Sequence, residues 1–187
     1  MSLLPIHVLG SPILRDETEV VTSFSDALGE LVDDMFETMY AASGIGLAAP
    51  QVGRRERVAV VDVEGARYVL VNPEIVFREG KVRAEEACLS IPELYGDVDR
   101  AKRVMVMAHD THGHPFDLDA TGLLARCLQH EIDHLHGKLF IDYLSYLKRR
   151  AALAKWEELR DDYRGNVRHL KPGDGEGSGR KHAEPSL

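Results

Sequence analysis

The sequence predicts an α+β fold: mostly antiparallel β-sheets packed around a central helix, with a further helix toward the C-terminal end. Three observations lead there. Two stretches carry apolar residues at helical spacing, Leu28, Leu31, Met35 and Met39 in one and Leu124, Leu128, Ile132 and Leu135 in the other. Between them lie short β-branched runs separated by turn residues rather than by crossovers, a spacing that suits antiparallel hairpins. No period of 20–50 residues repeats, and 187 residues suffice for one core.

Each element can be justified in chain order. In "SFSDALGELVDDMFETMYAASG", Ser23 or Ser25 is available as N-cap and Gly44 as a stop around the first apolar stripe. "RVAVVDV" (57–63) and "RYVLVNP" (67–73) are β-branched runs joined by "EGA", which predicts a hairpin. A third run, "RVMVMAHD" (103–110), is followed by "THGHPFDL", whose Gly113 and Pro115 predict a turn into another short strand. Helical spacing returns from about residue 121 and ends at Gly137, and a last helix is expected over about 143–163. After it, "KPGDGEGSGRKHAEPSL" has Gly, Pro and charge without apolar periodicity. The expected division is therefore a folded unit over 1–165 and a disordered tail over 166–187.

Composition narrows the class. With 44% apolar and 29% charged residues and no run long enough for a membrane span, a globular protein with no membrane partner is expected. "MSLLPIHVLG" lacks the features of a secretory signal, so the expected location is the cytoplasm. The formal charge of −8 argues against bulk attraction to nucleic acid. Two cysteines cannot form a disulfide framework, which suits a reducing compartment.

The chemistry is concentrated in "LQHEIDHLHG" (128–137). On a helix, His130 and His134 share one face, so both imidazoles can reach one metal ion while Glu131 projects beside it. This is the H-E-x-x-H pattern, in which the carboxylate can take a proton from water acidified by the ion. Both histidines fall next to the apolar stripe, where a merely solvated helix would not put them. A catalytic site needs a third protein ligand and an open position. Cys88 in "EEACLSIPE" could present a thiolate from a strand edge, although by itself it reads as a small buried hydrophobe. The histidines of "HDTHGH", His109, His112 and His114, read as a solvated hairpin turn, and Cys127 as packing near the site.

"GIGLAAPQ" (44–51), "EACLS" (86–90) and "QHEIDH" (129–134) occur in that order. Together they resemble the three motifs of peptide deformylases, GxGLAAxQ, EGCLS and QHExDH, within a similarity over most of residues 5–165. The resemblance implies a metal-dependent hydrolase that removes the formyl group from the N-terminal formyl-methionine of nascent polypeptides. It makes Cys88, His130 and His134 the metal ligands and Glu131 the general acid/base. It makes the Gln51 side-chain amide and the Leu89 backbone N–H the oxyanion donors, with Gly46 at the site's edge and Ile45, Leu123 and Cys127 around the methionine side chain. Arg126 is less apolar than expected beside such a pocket. The implied physiological ion is Fe(II), while the ligand set would also accept zinc, nickel or cobalt.

One position departs from the family: Ala87 stands where the second motif has glycine. A negative φ there makes the extra methyl a modest intrusion, and a positive φ would strain the loop carrying Cys88 and Leu89. Two other readings compete. A metallopeptidase acting on internal peptide bonds would usually carry a further downstream ligand, and none is evident. A non-catalytic relative would bind N-termini only. The C-terminal helix, with Lys148, Arg149, Arg150 and Lys155, reads as a solvated helix with i,i+4 ion pairs, while the resemblance implies that it docks on the ribosome.

Overall fold

The computed structural model describes residues 2–170; the part of the expected tail from 171 onward lies outside them. The elements in order are β1 (Ile6–His7), α1 (Asp26–Ala41), β2 (Gly46–Ala48), β3 (Val58–Val63), β4 (Ala66–Glu79), β5 (Val82–Cys88) and β6 (Ile91–Arg100). They continue with β7 (Arg103–His109), β8 (Pro115–Thr121), α2 (Gly122–Leu135), α3 (Tyr146–Leu159) and β9 (Val167–Arg168). The α+β expectation holds: β2-β3-β4-β7-β8 form one sheet, β5-β6 and β1-β9 form two ribbons, and every pairing between these strands is antiparallel.

The sheet lies between two helices, and β3 shows why. Val58 and Val60 face Leu31, Met35 and Met39 of α1, whereas Ala59 and Val61 face Ala125, Leu128 and Ile132 of α2. A strand covered on both sides has no solvent face, so Val58–Val61 is an apolar run rather than an alternation, and the first polar residue is Asp62 near the strand's end. The β3–β4 connection is a two-residue turn with both Glu64 (φ 56°) and Gly65 (φ 82°) at positive φ, as a type I′ hairpin requires.

Several boundaries differ from expectation. β4 continues past residue 73 because two register shifts absorb the residues that cannot pair regularly, Pro73 among them. Asn72, at φ 51°, uses its side chain there to accept from Val21 N and donate to Val21 O, at 2.8 and 2.9 Å. The β5–β6 ribbon had no strong β-branched signal, since its outward positions are charged. Toward the end, paired chain continues past residue 165. Val167 and Arg168 pair with His7 and Ile6, and Leu170 packs against the α1 core, so the expected tail begins with ordered chain. A two-residue strand draws its order from a partner 160 residues away in sequence, which no local pattern announces.

The last helix is shorter than expected, and only Trp156 is buried in it. Its cations do not form the expected pairs along the helix. Lys148 reaches Asp97 (2.9 Å), Lys155 the Glu93 carbonyl (3.0 Å) and Arg149 Asp142 (3.2 Å), tying α3 to β6 and to the turn before it.

Candidate metal centre and active site

The α2 face toward the sheet is Ala125, Leu128, Ile132 and Leu135; rotated from it, His130 and His134 lie one turn apart and meet edge to face, with ring centroids 4.9 Å from each other. Opposite them, β5 ends in a register shift between Ala87 and Cys88. A shift of this kind re-aims the side chain that follows, and Cys88 Sγ arrives 3.2 Å from His134 Nε2. One donor atom each from Cys88, His130 and His134 lie within 4.8 Å of one another, and all three residues are buried. Among the described residues this is the one such group, and it contains none of His109, His112 and His114. His112 and His114 belong to the β7–β8 turn, where Asp110 accepts from their backbone N–H groups at 2.8 and 2.9 Å, whereas His109 is the last residue of β7, with Nδ1 buried and without a hydrogen-bond partner among the described residues. The expectation of a solvated turn holds for the exposed His112 and His114 and not for His109, which is half-buried beside Phe24.

His130 is oriented from behind. Its Nδ1 lies 3.0 Å from Glu86 Oε2, which leaves Nε2 toward the cluster, buried and without a hydrogen-bond partner among the described residues. Glu86 also accepts two hydrogen bonds from Arg100, at 2.7 and 2.9 Å, and Arg100 in turn pairs with Asp133 of α2. Burial would push the Glu86 carboxyl up, but hydrogen bonds from Arg100 and His130 outweigh it and hold it at about 2. Sequence reasoning assigned roles to neither Glu86 nor Arg100. Glu86 opens the "EACLS" stretch and so had a signal; Arg100 had none, being one charged residue at the end of a charged strand.

Glu131 is wholly buried, and neither carboxylate oxygen has a hydrogen-bond partner among the described residues. Burial pushes its carboxyl up to about 7. It faces Gly46 of β2, where an added Cβ would overlap the carboxylate and sit 2.9 Å from Cys127 Sγ. Gln51 approaches from the 3₁₀ turn after β2. Its Oε1 accepts from Ala48 N (2.8 Å), and its Nε2 donates toward Cys88 Sγ (3.6 Å) and Ser90 Oγ (3.2 Å). The Leu89 backbone lies in the turn between Cys88 and Ser90, with its side chain close to Gly44. Cys127 is fully buried with Sγ 3.6 Å from the Ile45 carbonyl, and burial pushes its thiol well up, in keeping with packing rather than ligation. Leu123 and Ile45 pack partly buried on the same cluster, and Arg126 is buried as well.

Ala87 is a paired residue of β5, opposite Tyr95, and is not among the residues at positive φ. Of the two cases set out from the sequence, the benign one applies.

The family model for polypeptide deformylase matches residues 3–150. The chain belongs to the polypeptide deformylase family. A peptide deformylase of Alkalilimnicola ehrlichii is 52% identical over 171 residues, which are 89% of this chain and 96% of that one. A solved peptide deformylase of Legionella pneumophila superposes with a TM-score of 0.82 at 47% identity, over 86% of this chain and 96% of the other. One from Synechococcus elongatus, solved in complex with actinonin, gives 0.79 at 43% identity, over 82% and 88%. The deformylase is a metal-dependent hydrolase that removes the formyl group from the N terminus of nascent polypeptides. No helix among its described residues is long and apolar enough to cross a membrane.

Proposed function

We propose that Cys88 Sγ and the ring nitrogens of His130 and His134 that face it hold the metal ion of this deformylase. The observation that carries this is the convergence of three buried donors within 4.8 Å, one of them, His130 Nε2, otherwise unpartnered. A thiolate with two imidazoles fits a divalent transition metal. Fe(II) is the ion proposed in the cell, on the family resemblance, with zinc, nickel or cobalt able to replace it in isolated protein. When bound, the ion supplies Lewis acidity and lowers the pKa of water.

The chain's own residues do the rest. Glu131 takes a proton as water oxygen bonds to the formyl carbon, then delivers it to the departing amine as the C–N bond breaks, leaving formate and a free N terminus. Its buried carboxyl, raised toward neutrality, suits both directions of transfer. Gln51 Nε2 and the Leu89 N–H donate to the oxygen on which charge develops; donors of this sort contribute about 3 kcal/mol each. Gly46 leaves room for Glu131, and Ile45, Leu123 and Cys127 surround the methionine side chain. The cytoplasm is the proposed setting. Ribosome docking through α3 is supported by its outward face, where Tyr146 and Leu147 are about three-quarters exposed beside Arg150.

The test is deformylation of formyl-Met-Ala-Ser by anaerobically prepared, Fe(II)-loaded protein beside Glu131→Ala, with metal content measured on both. Turnover by the parent alone, with metal retained in the variant, is expected. A variant that lost its metal would make Glu131 a ligand, and one that kept the parent's rate would remove it from the chemistry.

A further inference from the structure

We propose that Ser90 is a positioning residue: it holds the two oxyanion donors, Gln51 Nε2 and the Leu89 N–H, at a fixed separation, and it acts through Gln51 alone. This rests on the roles given to Gln51 and Leu89 above. The two donors come from segments 38 residues apart, one in the 3₁₀ turn after β2 and the other in the β5–β6 turn. Donors stabilise a developing charge only if they are aimed before the reaction begins, so something must tie these segments together.

Ser90 makes that tie. Its side chain is fully buried, where a hydroxyl is costly unless it is hydrogen-bonded. Its Oγ accepts from Gln51 Nε2 at 3.2 Å, and its carbonyl accepts from Leu9 N at 2.8 Å, so the turn is held from both sides. On Gln51, the Ala48 N–H selects which end of the amide is oxygen, because the flipped amide would set NH₂ against N–H. The amide nitrogen has two hydrogens. One goes to Ser90, and the other then points toward Cys88 Sγ, the side on which the three ligands converge. Ser90 thus engages the hydrogen the reaction does not need and aims the one it does. The terminal torsion of a glutamine is broad, and without Ser90 the amide nitrogen keeps only the long 3.6 Å contact to Cys88 Sγ.

The experiment is a double-mutant cycle on metal-loaded full-length protein: parent, Ser90→Ala, Gln51→Ala and the double variant, with kcat and KM for formyl-Met-Ala-Ser, metal content and thermal melting. Ser90→Ala is expected to lower kcat about tenfold, the worth of one well-placed hydrogen bond, with KM and metal content at the parent's values. Added to Gln51→Ala, it is expected to cost nothing more. Equal losses in both backgrounds would mean that Ser90 only packs, and a parent-like kcat in Ser90→Ala would remove it altogether. A parent-like kcat in Gln51→Ala would instead overturn the oxyanion role of Gln51, a failure read without touching Ser90. Ser90→Cys, which keeps the volume but accepts hydrogen bonds poorly, should reproduce the kcat loss if the alanine variant does not fold.

Discussion

Glu86 Oε2 lies 3.0 Å from His130 Nδ1, and both side chains are almost fully buried. A carboxylate in that position fixes the imidazole tautomer, so that Nε2 is the nitrogen offered to the cluster. Arg100 keeps the carboxylate ionised and attaches it to α2 through Asp133. Glu86→Gln should therefore weaken metal binding by about 10- to 100-fold. It should also destabilise the metal-free protein by roughly 3 kcal/mol, because Arg100 loses its principal buried partner. Metal titration together with melts of loaded and metal-free protein measures the two effects separately. Unchanged affinity would show that Glu86 serves the fold and not the ligand.

Gly46→Ala tests the contact between β2 and the general base. The new methyl would lie 2.8 Å from Glu131 Cδ, against a wall that also contains Cys127. Displacing a reacting group by about an ångström costs on the order of a hundredfold in rate, so kcat should fall by that factor while metal content stays at the parent's level. Near-parent kcat would mean that Glu131 can swing away without loss.

Ala87→Gly should change little in catalysis. The position has negative φ and sits in a paired strand, where the methyl strains nothing. The rate is expected to stay within about threefold of the parent's, with a loss of stability of roughly 0.5–1 kcal/mol from the freer glycine. A large gain in rate would show that the methyl obstructs substrate.

The Arg15–Asp142 pair sets a pH dependence of stability away from the site. Burial would raise the Asp142 carboxyl, but hydrogen bonds from Arg15 and from the Leu139 N–H outweigh it and hold it below its ordinary value of 3.8. A carboxyl depressed in the folded state contributes stability above its unfolded pKa and loses it as the pH falls through its folded one. Asp142→Asn should therefore melt lower than the parent at pH 7, by no more than about 1 kcal/mol for a partly exposed pair, and the gap should close below about pH 4. A gap that persists in acid would assign the effect to packing.

The sequence by itself determined the helices α1 and α2, the β3–β4 hairpin and the order of the three motifs. Each depends on residues close together in the chain: an apolar stripe at helical spacing, a β-branched run, a turn that needs positive φ, two histidines four apart. The tertiary structure alone decided the rest. That Cys88 meets His134 depends on a register shift in a ribbon whose charged strands carry little local signal. That Arg100 backs Glu86 is a contact between residues 14 apart on a twisted hairpin, and β9 exists only because β1 pairs with it. Such contacts form because distant segments meet in the fold, and a linear pattern carries no trace of a partner that only folding brings near.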